Sequence, residues 1–139
     1  MVTDRNDVVI LGARLLLATL FLIFGWRKLR DYSGTVRQVV QLGVPLPRLA
    51  ADVATFMELP VAFSVAVGAF TRPAALLMAL YTLATALIAH RYWAIPGTGR
   101  IDSMDSFYKN LSIIGGFLLL FITGAGKYSV DALCKLAMR

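Results

Sequence analysis

Ionisable or amide side chains fall within apolar surroundings at four places: Arg14, Glu58, His90 and the adjacent Lys109 and Asn110. A charge held at mid-bilayer costs several kcal/mol unless it is paired or faces water, so each of these residues needs a partner. A carboxylate can take up and release a proton, and an imidazole can do so near neutral pH. An ammonium and a carboxamide can hold the polar head of a ligand. Glu58, His90, Lys109 and Asn110, with Trp26 and Trp93 nearby, are therefore the candidate ligand-binding set.

Each residue also has an ordinary reading. Arg14 and Glu58 are expected to form a buried ion pair that fixes helix order. His90 lies near the end of its apolar run, where it could simply be solvated. Trp26, Tyr92, Trp93 and Tyr108 suit an aromatic belt at the membrane interface, and Arg27, Lys28 and Arg91 suit markers of the positively charged side. Asp105 and Lys109, four apart, suit a helix-surface pair.

Much chemistry is excluded by inventory. Cys134 is the only cysteine and His90 the only histidine, so no thiol pair, cysteine metal site or paired-histidine haem ligation exists within one chain. No dinucleotide fingerprint occurs, and no metal site is expected. The net charge is +6, but the charges lie mainly at the ends of apolar runs, as in a membrane protein, and no nucleic-acid motif accompanies them. Catalysis is left open: no self-sufficient redox or catalytic motif is present.

The elements that must position these groups are membrane spans. The 139 residues are 58% hydrophobic and 16% charged, with a mean hydropathy of +0.71. A soluble domain this small could not hide so much apolar surface. A helix needs ~20 mostly apolar residues to cross the ~30 Å hydrocarbon core. Residues 8–26, 49–70, 73–93 and 107–124 meet or approach that length. They do not alternate as barrel strands would. The expected fold is all-α: a single domain over 1–139, an integral membrane four-helix bundle with short interfacial amphipathic segments.

Between the first two spans, Val36, Val39, Val40 and Leu42 recur at near-helical spacing, predicting an interfacial helix that ends at Gly43. Thr71-Arg72 alone joins spans two and three, which predicts a tight hairpin. Pro96-Gly97-Thr98-Gly99-Arg100 reads as a polar loop followed by the acidic Asp102 and Asp105, and Tyr128 to Arg139 as a surface helix capped by Ser129. Alanines around Glu58 and His90, and Ser112, Gly116 and Thr123 beside Lys109, would let the helices approach closely. Pro60 frees a carbonyl one turn before it, beside Glu58.

The first run is too long for a typical signal-peptide core and lacks a small-residue cleavage site, so it reads as a retained span. The connections after spans one and three hold Arg27, Lys28, Arg30, Arg37, Arg48, Arg91, Arg100 and Lys109. The other side holds Arg5, Arg72, Lys127, Lys135 and Arg139. The excess on the first side predicts both termini in the periplasm.

In order along the chain stand Arg14, Phe24-Gly25-Trp26-Arg27-Lys28-Leu29, Gly34-Thr35-Val36, Leu42-Gly43-Val44-Pro45, Glu58 and Gly68-Ala69-Phe70-Thr71-Arg72. His90 with Tyr92-Trp93, Lys109-Asn110-Leu111-Ser112 with Gly115-Gly116, and Thr123-Gly124-Ala125-Gly126-Lys127-Tyr128-Ser129-Val130-Asp131 follow. This order resembles the DoxX family of bacterial inner-membrane proteins, particularly its YphA-like branch, from about Val8 to Asp131. The resemblance implies a four-helix protein of the bacterial plasma membrane. It also implies a link with quinone-dependent oxidation of sulfur compounds or with membrane oxidoreductase assemblies, and no established catalytic set.

Three functions fit. The chain could be an accessory or ligand-binding subunit of a quinone-linked redox system, with Glu58, His90 and Lys109 binding a quinone and passing protons. It could be a non-enzymatic membrane protein that binds or carries a lipid or small apolar solute in the same pocket. It could also be a structural partner of another membrane or soluble protein. Lipid bilayer is a partner in every case, and nucleic acid in none.

Overall fold

The computed structural model describes residues 2–137, with side chains for 5–135. Within them the chain is helical without strands: α1 (Val2–Arg30), α2 (Tyr32–Gln41), α3 (Pro47–Phe56), α4 (Ala62–Val67), α5 (Thr71–Ala89), α6 (Gly99–Thr123) and α7 (Val130–Ala137). A π-helical turn, Met57–Val61, joins α3 to α4, and a short 3₁₀ turn, Tyr92–Ala94, follows α5. Four stretches are long and apolar enough to cross a membrane: Arg5–Arg30, Pro47–Val67, Thr71–Ala94 and Gly99–Thr123.

Local chemistry sets the boundaries. Asp31 caps α2, its carboxylate accepting from the Gly34 amide at 3.0 Å, and the helix stops at Gly43 with φ +71°. Pro47 begins α3 at a position that needs no N–H. Pro60, which cannot donate, sits within the π turn, where Ala62 reaches back five residues to the Met57 carbonyl. Ser129 caps α7 by accepting from the Ala132 amide at 3.1 Å. Met1, Met138 and Arg139 of the expected domain and surface tail lie outside the described residues.

The last long helix differs from the sequence expectation. It starts at Gly99 rather than near Phe107, so Lys109 and Asn110 sit in its third turn rather than its first. Asp102 lies in the first turn, where a negative charge favours the helix, and the Ser106 hydroxyl donates to the Asp102 carbonyl at 2.9 Å. The polar segment is a helical extension, mostly exposed apart from the buried Ser103, which in sequence looks like a loop. Asp105 and Lys109 do not pair.

Buried Phe21, Met57, Val61, Val65, Met78, Phe117 and Leu120 form the core, with the Phe21 and Phe117 rings 5.6 Å apart. Buried alanines, among them Ala18, Ala62, Ala75 and Ala79, let the helices draw close. Helix α1 packs chiefly along the π turn and α4 and to a smaller, similar extent on α3 and α6, while α6 packs mainly on α5. Large apolar side chains such as Leu16, Leu80, Leu119 and Ile122 face outward. Outward apolar side chains are what a lipid-facing surface requires.

Candidate polar site at the π turn

Glu58 is 5% exposed and belongs to the π turn. Its two carboxylate oxygens are divided between neighbouring helices. The Lys28 ammonium in the last turn of α1 donates to Oε2 at 2.6 Å, and the Tyr81 hydroxyl, midway along α5, donates to Oε1 at 2.5 Å. Lys28 is a quarter exposed, at 25% of its side chain. Its ammonium also lies 5.7 Å from the Phe24 ring centroid, and the Arg27 guanidinium lies 5.9 Å from it. Charge-assisted bonds of this kind are the strong ones, and removing one partner of a buried pair costs about 3–5 kcal/mol.

Gly25 makes the approach possible. A Cβ there would stand 2.8 Å from Leu59 Cγ and 2.9 Å from the Glu58 carbonyl carbon, so α1 lies directly against the backbone of the π turn. The cluster thus has a carboxylate that can accept a proton, a phenol that donates to it and a cation with a path to the outside. The π turn supplies an irregular backbone beside it; such turns are frequent at functional sites.

The expected Arg14–Glu58 pair is not formed. Arg14 precedes Lys28 by fourteen residues on one continuous helix, about 21 Å along the axis at 1.5 Å per residue. Its guanidinium, 1% exposed, instead donates to the carbonyls of Ala125, of Ala66 at 3.3 Å and of Tyr128 at 2.7 Å. Gly68 leaves room for it: φ there is +73°, and a Cβ would fall 2.5 Å from Arg14 Nη1. Beside it, the Asp131 carboxylate accepts the amides of Phe70 at 2.8 Å and Thr71 at 2.9 Å, which cap α5, and the Asp131 amide donates to the Gly68 carbonyl at 2.9 Å. The segment from Gly124 to Asp131 is therefore a clasp across the ends of α1, α4, α5 and α6. Burial would push the Asp131 carboxyl up, but the bonds from Thr71 and Phe70 and the nearby Lys135 outweigh it and hold it below its ordinary value.

The remaining expected site residues are not gathered around Glu58. His90 is half-buried at the end of α5, nine residues or about 14 Å beyond Tyr81. Lys109 is exposed and Asn110 half-buried on α6. Trp26 and Trp93 are exposed, and Trp93 joins an aromatic patch with Tyr92 at 5.2 Å and Phe107 at 5.7 Å. Among the described residues, no hydrogen bond or ion pair links His90, Lys109 or Asn110 to Glu58. Two grooves, of about 440 and 590 Å³, open elsewhere, and none of the six expected ligand-binding residues lines either. No group of three metal-ligating side chains occurs among the described residues.

Sequence reasoning missed Lys28 and Tyr81. Lys28 reads as one more interfacial cation among Arg27 and Arg30. Tyr81 carried a usable signal: a phenol in the middle of an apolar span, far from the interface where tyrosines collect, needs a buried acceptor.

Four long apolar helices with ionisable groups held between them define a multi-pass helical membrane protein. The chain belongs to the DoxX family, whose model, described as DoxX, matches residues 9–91. It is 47% identical over 126 residues to the inner membrane protein YphA of Escherichia coli, covering 91% of this chain and 90% of that one. It is 39% identical over 130 residues to the inner membrane protein YqjF of the same organism, covering 92% and 93%. A shorter similarity, 41% over 66 residues, joins 48% of this chain to 21% of the ER-derived vesicles protein ERV29 of Saccharomyces cerevisiae. No solved structure matches the chain. The family match spans Arg14, Lys28, Glu58 and Tyr81, and ends before the clasp.

Proposed function

We propose that this protein is a ligand-binding accessory subunit of a quinone-linked membrane redox system, and that the Lys28–Glu58–Tyr81 cluster is where the ligand head binds and exchanges protons. The observation that carries the reading is the buried Glu58 carboxylate, shared between a phenol and a partly exposed ammonium at a π turn. Buried ionisable groups within spans commonly mark ligand or proton paths. A quinone suits the cluster because its carbonyl oxygens accept hydrogen bonds, for which the Lys28 ammonium has N–H groups beyond the one given to Glu58, and its reduction consumes protons that a carboxylate can relay. With both termini periplasmic, the cluster lies towards the cytoplasmic half of the bundle.

The test is Glu58→Gln, which keeps shape and one acceptor oxygen but removes charge and proton exchange, with Tyr81→Phe beside it. Quinone copurifying with each variant is extracted and quantified by mass spectrometry, alongside thermal stability and cellular phenotype. Loss of quinone from a folded variant is expected. Parental quinone content and phenotype in both variants would overturn the proposal and leave the cluster as a structural tie between helices. Bound phospholipid or a tightly held protein in place of quinone would redirect it to a carrier or to a structural partner.

A further inference from the structure

The two grooves lie on the side of the bundle that holds the clasp, and they meet at Thr123. The first is apolar and runs between α1, at Val9, Ala13 and Leu20, and α6, at Ile113 and Leu119. It exists because α6 packs mainly on α5 and meets α1 over a shorter stretch. Along α1 it extends eleven residues, about 16 Å, and along α6 ten residues, about 15 Å. That length is half the ~30 Å hydrocarbon core, the depth of a single leaflet. An apolar groove at this depth suits an acyl chain rather than water.

The second groove begins where the first ends and is polar. Arg72, Lys127 and Lys135 line it, with Asp131 as their acidic neighbour. Both Asp131 oxygens are already committed to the Phe70 and Thr71 amides, which offset their repulsion of another anion. Arg72 and Lys135 are exposed at this end, and Arg72 spends one nitrogen on the Ile122 carbonyl at 3.4 Å. A guanidinium and an ammonium at the mouth of an acyl-length groove are complementary to a phosphate carrying a chain.

We infer a binding site for one anionic phospholipid, its acyl chain between α1 and α6 and its phosphate at Arg72 and Lys135. The site is at the opposite end of the bundle from Glu58 and does not depend on what that cluster binds. The protein, delipidated in detergent, is incubated with phosphatidylglycerol or phosphatidylcholine of identical chains and read by native mass spectrometry. One phosphatidylglycerol is retained in preference to phosphatidylcholine. Each basic residue contributes about fivefold, so the double variant R72A/K135A lowers the preference by about 25-fold. Ala13→Trp, at an exposed groove position, fills the groove and lowers retention of both lipids. Soluble glycerol phosphate does not displace the lipid, since it lacks the chain.

Equal retention of the two lipids by the parent, or an unchanged preference in the double variant, would overturn the site. So would displacement by glycerol phosphate, which indicates a free-anion site. A lipid-free dimer lost in Ala13→Trp would make a second copy the occupant and overturn it as well. If Ala13→Trp fails to fold, the charge variants, which alter only exposed side chains, decide alone.

Discussion

Removing the Asp131 carboxylate tests whether the clasp holds the helix ends together. Its oxygens accept two amides, at 2.8 and 2.9 Å, at the start of α5, where Phe70 is held at φ +49°. Loss of a helix N-cap costs about 0.5–2 kcal/mol, and loss of a negative charge at a helix N-terminus about 0.3–1 kcal/mol more. Asp131→Ala should therefore destabilise by about 1–3 kcal/mol. On the scale of globular domains 2 kcal/mol is a fall of roughly 4–8 °C in Tm. Asp131→Asn keeps one acceptor but turns a donor towards the second amide, so it should not restore the loss.

The pH dependence has a definite sign. The folded carboxyl is held below its ordinary value, so its contribution is complete above the unfolded value of ~3.9 and disappears as pH falls through the lower, folded one. Thermal unfolding followed by circular dichroism in one detergent, at pH 7 and at steps below pH 4, should show parent and Asp131→Ala converging in acid. Equal Tm values at pH 7 would refute the reasoning, as would a gap that widens on acidification.

Other expectations concern the polar cluster, the π turn and the orientation of the chain. In a double-mutant cycle, Lys28→Ala and Glu58→Ala should couple by about 0.5–3 kcal/mol, whereas Arg14→Ala and Glu58→Ala should add within about 0.5 kcal/mol; chemical denaturation of the four proteins in each cycle measures both. Gly25→Ala should destabilise by about 1–3 kcal/mol, because its new methyl group meets backbone at 2.9 Å rather than a movable side-chain tip. A Tm equal to that of the parent would show that α1 can move aside. Reporter fusions after residue 139 should be active in the periplasm and silent in the cytoplasm.

The spans were legible because apolar length is a local property, and so were the end of α2 at Gly43 and the Ser129 cap, which depend on single residues. Pairing was not legible. Glu58 was correctly singled out as needing a partner, but its partner depends on how far two antiparallel helices slide past each other, which the pattern of either alone does not encode. Arg14 seemed to require an acid because carbonyl acceptors are hidden in a sequence. The Gly68 turn and the Gly124-Ala125-Gly126 break expose those carbonyls. The start of α6 was missed because its first two turns are rich in polar residues, with Gly99, Arg100, Asp102, Ser103 and Asp105, and lack the apolar run that marks a span.

The acceptors of Arg14 lie 52, 111 and 114 residues further along the chain. Synthesis proceeds at about 5–20 residues per second, so roughly 6–23 s separate the emergence of this guanidinium from that of its last carbonyl. During that interval the first span must enter the bilayer with a cation that lacks most of its final acceptors, an insertion cost of up to about 3 kcal/mol that its leucine and isoleucine side chains must offset. A nascent chain stalled before Tyr128 is thus marked as incomplete by the residue that secures the finished protein.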